Sequence, residues 1–268
     1  MRVTIIGLGW FGLALAEKLA GEHVVRGSKT SAESAKAVSI PGVEAYPLVL
    51  NPGLISDHVD HLAEADCLVI NIPPGRRDAN ADFYREQMEA LYQAFAKSDI
   101  AHLIFVSSTG VFGETQLVTD EDTLPEPTSL SGKILLEAEN FWIDNFPGGV
   151  SIIRPGGLVG GNRHPARFLS GKVDVAGKNN PVNLVHRIDL VNLTTYLIEN
   201  KVNRTIFHAI ADGHPRKQEY YTRAAQKTDL LVPIFNESDT SHGRKTEALK
   251  TKSFTGLNFQ YNDPYDMF

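Results

Sequence analysis

"TIIGLGWFGLALAEKLA", Thr4 to Ala20, is the stretch whose reading decides the fold. A short apolar run, Val3 to Ile6, meets three glycines spaced Gly7-x-Gly9-x-x-Gly12, and a helix-like segment opens at once. The spacing alone is a weak signal. Placed between a first strand and a first helix, it is the turn that a dinucleotide-binding loop requires. Gly7 permits the tight turn, Gly9 lets the backbone approach a pyrophosphate, and Gly12 lets the helix lie against the strand. The helix N-terminus, with Trp10 and Phe11 at its start, then offers N–H groups and a partial positive charge to the phosphates. The competing account is a glycine-rich turn with no ligand.

Outward from this turn, β-rich apolar runs alternate with helix-like segments. "HVV", "VEAYPLVL", "CLVINI", "HLIFVSS" and "VSIIRP" follow "VTII", each separated from the next by a helix-like stretch. The runs are continuous rather than alternating, as in strands buried on both faces. Repeated strand–helix units predict an α/β chain with a Rossmann doubly wound parallel sheet. The expected organisation is a dinucleotide-binding core over 1–160 and a smaller, substrate-facing portion over 161–268. Within the latter, 187–210 ("DLVNLTTYLIEN" and "TIFHAIA") returns to the sheet, and the end is one helix plus an irregular tail.

The 268 residues suffice to bury a sizeable core without staples. The single cysteine, Cys67, cannot form an internal disulfide and lies in the apolar "ADCLVINI", so a core thiol is expected. A net charge of −6 argues against a nucleic-acid partner. The opening residues run straight into a strand with no leader pattern, and no run approaches the roughly 18 apolar residues of a membrane span. A cytoplasmic protein with no membrane partner is expected. His58 and His61 could share a helical face, but no further ligands accompany them, and no metal is expected.

The end of the second strand selects between the two nicotinamide dinucleotides. An acid there would bind the ribose 2′-hydroxyl. "VVRGSKTS" has none before Glu33 and offers Arg26, Ser28 and Lys29 instead, which suit a 2′-phosphate. NADP is favoured and NAD stays open; a solvated basic turn is the bland account.

Further on, "HLIFVSSTGVFG", "TSLSGKILLEAE", "VSIIRPGGLVGG" and "VNLVHRIDLVNLTTYLI" follow in order. Together they resemble the extended short-chain dehydrogenase/reductases, the NAD-dependent epimerase/dehydratase group. The likeness is strong from Arg2 to about Leu197 and thin in the tail. It implies that Ser108 is the hydroxyl that hydrogen-bonds the reacting oxygen, with Ser107 beside it. It implies that Lys133 holds the nicotinamide ribose, that the loop Asn71, Ile72, Pro73 and Pro74 passes the adenine ribose and phosphates, and that Arg154 and Pro155 lead past the nicotinamide amide. The family carries Tyr-x-x-x-Lys on the helix that bears this lysine, and here the tyrosine position is Ser129. A phenol with a free pKa of about 10 can be tuned towards neutrality by a nearby cation. Serine is a far weaker acid, and losing a positioned acid/base costs about 10²–10⁴-fold in rate.

Ser129 is therefore either a site residue or simply a helix cap. Tyr84, Tyr220 and Tyr221 are other phenols that could donate a proton. Arg76, Arg77, Arg163 and Arg167 lie in loops after strands and could bind an anion, although solvated arginines are the commoner case. The resulting expectation is an NADP(H)-dependent oxidoreductase or epimerase-like protein acting on a small carbonyl, alcohol or nucleotide-sugar substrate. The alternative is a non-catalytic dinucleotide-binding sensor or regulator. The resemblance also makes a homodimer through helices flanking the sheet an expected partner arrangement.

Overall fold

The computed structural model describes residues 1–75 and 81–268, so Arg76 and Arg77 lie outside the described residues. A seven-stranded sheet forms the centre. Its strands are β1 (Arg2–Ile6), β2 (Val24–Lys29), β3 (Val43–Pro47), β4 (Cys67–Ile70), β5 (His102–Val106), β6 (Gly149–Pro155) and β7 (Thr205–Ala209). The order across the sheet is β7-β6-β5-β4-β1-β2-β3. The pairings from β3 through to β6 all run parallel. Every residue of β4, β5 and β6 is buried. That double-sided burial is why these strands read as unbroken apolar runs. The fold is the doubly wound Rossmann sheet expected.

Helices α1 (Trp10–Leu19), α2 (Ala32–Lys36), α3 (Val59–Ala63), α4 (Ala81–Phe95), α5 (Leu130–Asn145) and α6 (Arg187–Glu199) connect the strands. Further along lie α7 (Lys217–Lys227) and α8 (Leu249–Thr255). Among the described residues, no helix is long and apolar enough to cross a membrane. The strand order reverses between β1 and β4, and a crevice opens at such a switch point beyond the strands' carboxyl ends. The glycine turn sits there.

The chain divides into two compact units. One comprises 1–111, 127–154 and 191–206; the other comprises 112–126, 155–190 and 207–268. The second unit has its own core of Val159, Val182, Leu184, Ala211, Tyr220 and Met267, with Tyr221, Tyr261, Tyr265 and Phe268 packed against it. Its tail is more regular than the sequence pattern suggested. Lys245–Thr246 pairs in parallel with Val118–Thr119. The Glu121 carboxylate then accepts from the Lys250 and Thr251 amides at 3.1 and 2.8 Å, at the start of α8. A strand partner and a helix cap contributed by a segment more than a hundred residues earlier leave no mark in local sequence.

β2 also runs further than "HVV". It extends through Lys29, because β1 and β3 pair with it on both sides, Arg26 lying opposite Thr4 and Glu44. Cys67 is fully buried, and burial pushes its thiol pKa up, so it is the core thiol expected. Beside it, the His102 imidazole is 3.8 Å from Cys67 Sγ and 3.4 Å from Ser151 Oγ. Burial lowers the His102 pKa from 6.5 to about 4.

This ring couples stability to acid. Folded, it stays neutral well below the pH at which the unfolded chain protonates. The unfolded state therefore binds the extra proton, and stability present above pH 6.5 is lost as pH falls towards about 4. Between pH 7 and 4.5 the wild type should lose about 2 kcal/mol more than His102→Asn, read from urea unfolding. Parallel pH curves for the two proteins would show that another group is responsible.

Candidate functional site

The turn after β1 is built by backbone contacts that tolerate no side chain. Gly7 has φ +103°, and a Cβ there would stand 2.6 Å from the Asn71 carbonyl oxygen. A Cβ on Gly12 would stand 2.2 Å from the Gly7 carbonyl oxygen. A Cβ on Gly9, by contrast, meets nothing within 4 Å. Gly7 and Gly12 therefore serve packing, and Gly9 faces open space. Gly9 is the N-cap of α1, no side chain caps that end, and no acid lies in the first helical turn. Such an end favours an anion. Trp10 begins the helix half-buried, and Phe11 turns into the core.

A pocket of about 400 Å³ opens from this turn. Gly7, Leu8 and Gly9 form one side, and Leu48, Val49, Leu50, Ile72 and Pro73 supply apolar walls. Asn71 fixes the loop after β4: its amide Nδ2 donates to Gly7 O at 3.3 Å, and its backbone N–H donates to Ile6 O at 2.9 Å. Pro74 is buried. Tyr84 Oη donates to Ile72 O at 2.6 Å and holds this loop from below.

At the end of β2 the structure separates the three basic-turn candidates. Ser28 and Lys29 line the pocket, joined by Thr30 and Ser34. Ser28 Oγ accepts from the Gly7 amide at 3.0 Å, and Lys29 Nζ donates to Leu8 O at 2.8 Å. Lys29 is thus tethered over the turn with donors to spare. Arg26 is not in the pocket lining. Its guanidinium donates to Glu44 and Glu64, at 3.0 Å each, and to His61 O at 2.7 Å. Two carboxylates already neutralise it. The His58 and His61 rings pack on Tyr46, with centroids 5.0 and 5.5 Å away.

The serine segment divides likewise. Ser107 is buried and its hydroxyl donates to Glu139 Oε1 at 2.5 Å. Arg154, at the end of β6, grips the same carboxylate through Nε at 3.0 Å and Nη2 at 2.6 Å. Both side chains are thus held inside the first unit. Pro155 falls in the second unit. Ser108 is half-buried, and its Oγ accepts from the Gly110 amide at 3.0 Å. Lys133 is exposed on the first turn of α5. Ser129 is the N-cap of α5, and its Oγ accepts from the Gly132 amide at 3.1 Å. Gly132 itself lets α5 approach the chain after β5, since a Cβ there would meet Gly110 O at 2.2 Å.

Burial drives the pKa values of the Tyr84 and Tyr220 hydroxyls up. Burial likewise pushes the Tyr221 hydroxyl up to about 12. Arg163 and Arg167 are exposed in the second unit. Sequence reasoning missed Thr30, Ser34 and Glu139. The serine–threonine cluster "SKTSAES" was a usable signal for the first two; nothing local marked the third. Because Ser129 caps a helix, Ser129→Ala should lower stability by about 1 kcal/mol. It should leave any cofactor affinity unchanged; thermal unfolding and a dinucleotide titration check the two halves.

No family model matches the chain. Protein YeeZ of Escherichia coli strain K12 is 36% identical to it over 271 residues, covering 99% of this chain and 98% of YeeZ. Protein YeeZ of Escherichia coli O157:H7 matches equally. Among solved structures, UDP-glucuronic acid 4-epimerase from Bacillus cereus in complex with NAD superposes with a TM-score of 0.77 at 16% identity, over 100% of this chain and 96% of the epimerase. A Methylobacillus flagellatus protein provisionally described as an NAD-dependent epimerase/dehydratase superposes with a TM-score of 0.71 at 24% identity, over 99% and 95% of the two chains. At these identities the superpositions speak for the fold, whereas the match to YeeZ speaks for descent. The chain belongs to the YeeZ family, and its fold is that of the extended short-chain dehydrogenase/reductases of the NAD-dependent epimerase/dehydratase type.

Proposed function

We propose that this protein binds NADP(H) and acts as an oxidoreductase or epimerase-like enzyme on a small carbonyl, alcohol or nucleotide-sugar substrate. One observation carries the cofactor half: the glycine turn opens into a pocket whose lining, among the described residues, includes Lys29, Thr30 and Ser34 and no carboxylate. Gly9 leaves room for a pyrophosphate against the α1 N-terminus. Lys29 supplies a cation, and Thr30 and Ser34 supply hydroxyls, suited to a 2′-phosphate. Leu48, Leu50 and Ile72 offer apolar walls to a base. The donor set fits the group. The solved epimerase of like fold binds NAD, which supports a nicotinamide dinucleotide here; the absence of an acid among the described lining residues favours the phosphorylated form.

A bound nicotinamide supplies the hydride chemistry; the protein's part is to bind, orient and handle the proton. Ser108, oriented by the Gly110 amide, keeps its own proton available for a substrate oxygen. Lys133 is the cation for the nicotinamide ribose, as the resemblance implies. A second reading, a cofactor-binding sensor without turnover, is favoured by one observation: Ser129 is turned to the Gly132 amide as a cap, in the position where the family keeps its acid/base.

The test is a fluorescence titration with NADPH and NADH, followed by turnover on carbonyls and nucleotide sugars. NADPH should bind more tightly than NADH, and Lys29→Ala should weaken NADPH by about tenfold or more while sparing NADH. Gly9→Val should abolish binding with little change in melting temperature. Equal affinities for the two dinucleotides would refute the NADP(H) assignment. Turnover lost in Ser108→Ala would exclude the sensor reading; NADPH binding without turnover on any substrate would favour it.

A further inference from the structure

We propose that Glu139 is the positioning residue of this site, setting where Ser108 and Lys133 stand; the proposal rests on the roles just given to that pair. Glu139 and Arg154 are only 1% and 2% exposed. Arg154 Nε reaches both carboxylate oxygens, at 3.0 and 3.2 Å, and Nη2 reaches Oε2 at 2.6 Å. Ser107 adds its hydroxyl to Oε1. Three elements thereby meet on one carboxylate: the end of β5, the middle of α5 and the end of β6.

Stability does not by itself explain such an arrangement. Removing two charges from water largely cancels their attraction, and a well-packed apolar pair often holds a fold as firmly. What an apolar pair lacks is direction. The carboxylate fixes the rotation and the axial position of α5 against β5. Ser107 is joined to Ser108 by one peptide bond. Lys133 precedes Glu139 by six residues on the same helix, about 9 Å along its axis. The N-terminal turn of α5 is already pressed onto the Gly110 carbonyl through Gly132. With that end in contact and Glu139 clamped further along, the helix is held at two points, and the Ser108–Lys133 pair has little freedom left.

Ser107→Ala is the sharpest test, because it leaves the ion pair whole and cuts its tie to β5. A second variant, Glu139→Gln combined with Arg154→Met, replaces the charges with a neutral pair of similar volume. Hydrogen exchange without cofactor should show faster exchange at the Gly110, Val111 and Lys133 amides in both variants, with the rest of the sheet unchanged. In Ser107→Ala the melting temperature should stay within a few degrees of wild type. NADPH should bind about tenfold more weakly with a smaller change in nicotinamide emission, as a displaced lysine contact implies. Unchanged exchange at those three amides in Ser107→Ala would overturn the proposal. If wild type itself gives no NADPH signal, the cofactor assignment fails, and exchange still decides whether Glu139 positions the two segments.

Discussion

The carbonyl oxygen of Gly7 lies where a Cβ on Gly12 would have to be, and the carbonyl of Asn71 crowds Gly7 in the same way. The rest of the first unit depends on these contacts. They bring the start of α1 against the end of β1 and the loop after β4 against both. They place one helix N-terminus, with no side chain over it, at the point where the strand order reverses. A pocket exists there because backbone meets backbone on one side while Gly9 leaves the other side open. The same device recurs at α5, where Gly132 allows a helix to settle on the Gly110 carbonyl. Two close approaches bought with glycine locate the two ends of the candidate site.

Charge is used in this molecule mostly to tie chain to chain. Arg26 is taken up by Glu44 and Glu64, and Arg154 by Glu139. Glu121 accepts two amides at the start of α8, and Asp189 accepts the amides of Gln260 and Tyr261 in the tail. Desolvation raises the Asp189 pKa despite those two hydrogen bonds. Against this background Lys29 differs. Its ammonium donates to Leu8 O and, among the described residues, meets no carboxylate at the pocket lining. A cation thus stands beside hydroxyls, with no carboxylate among the described lining residues.

Ser129 shows how one hydroxyl can set the start of a helix. With serine there, the side chain is short enough to turn back onto the Gly132 amide, and the helix begins directly after it. A phenol is too long and rigid to make that local bond.

Patterns of local origin were legible from the residues alone. The parallel sheet was, because strands covered on both faces must be apolar throughout. So was the glycine turn, because its spacing encodes where a Cβ is forbidden, and so was the α5 cap, a serine three residues before an amide it can reach. Only the tertiary structure decided where side chains at the end of β2 point. Arg26 and Lys29 look alike in sequence, but β3 and the end of α3 bring two carboxylates to Arg26, while the glycine turn brings a carbonyl to Lys29. Likewise, nothing in sequence relates Ser107, Glu139 and Arg154. Their meeting depends on the packing of α5 against the sheet, which brings together groups tens of residues apart and removes them from water.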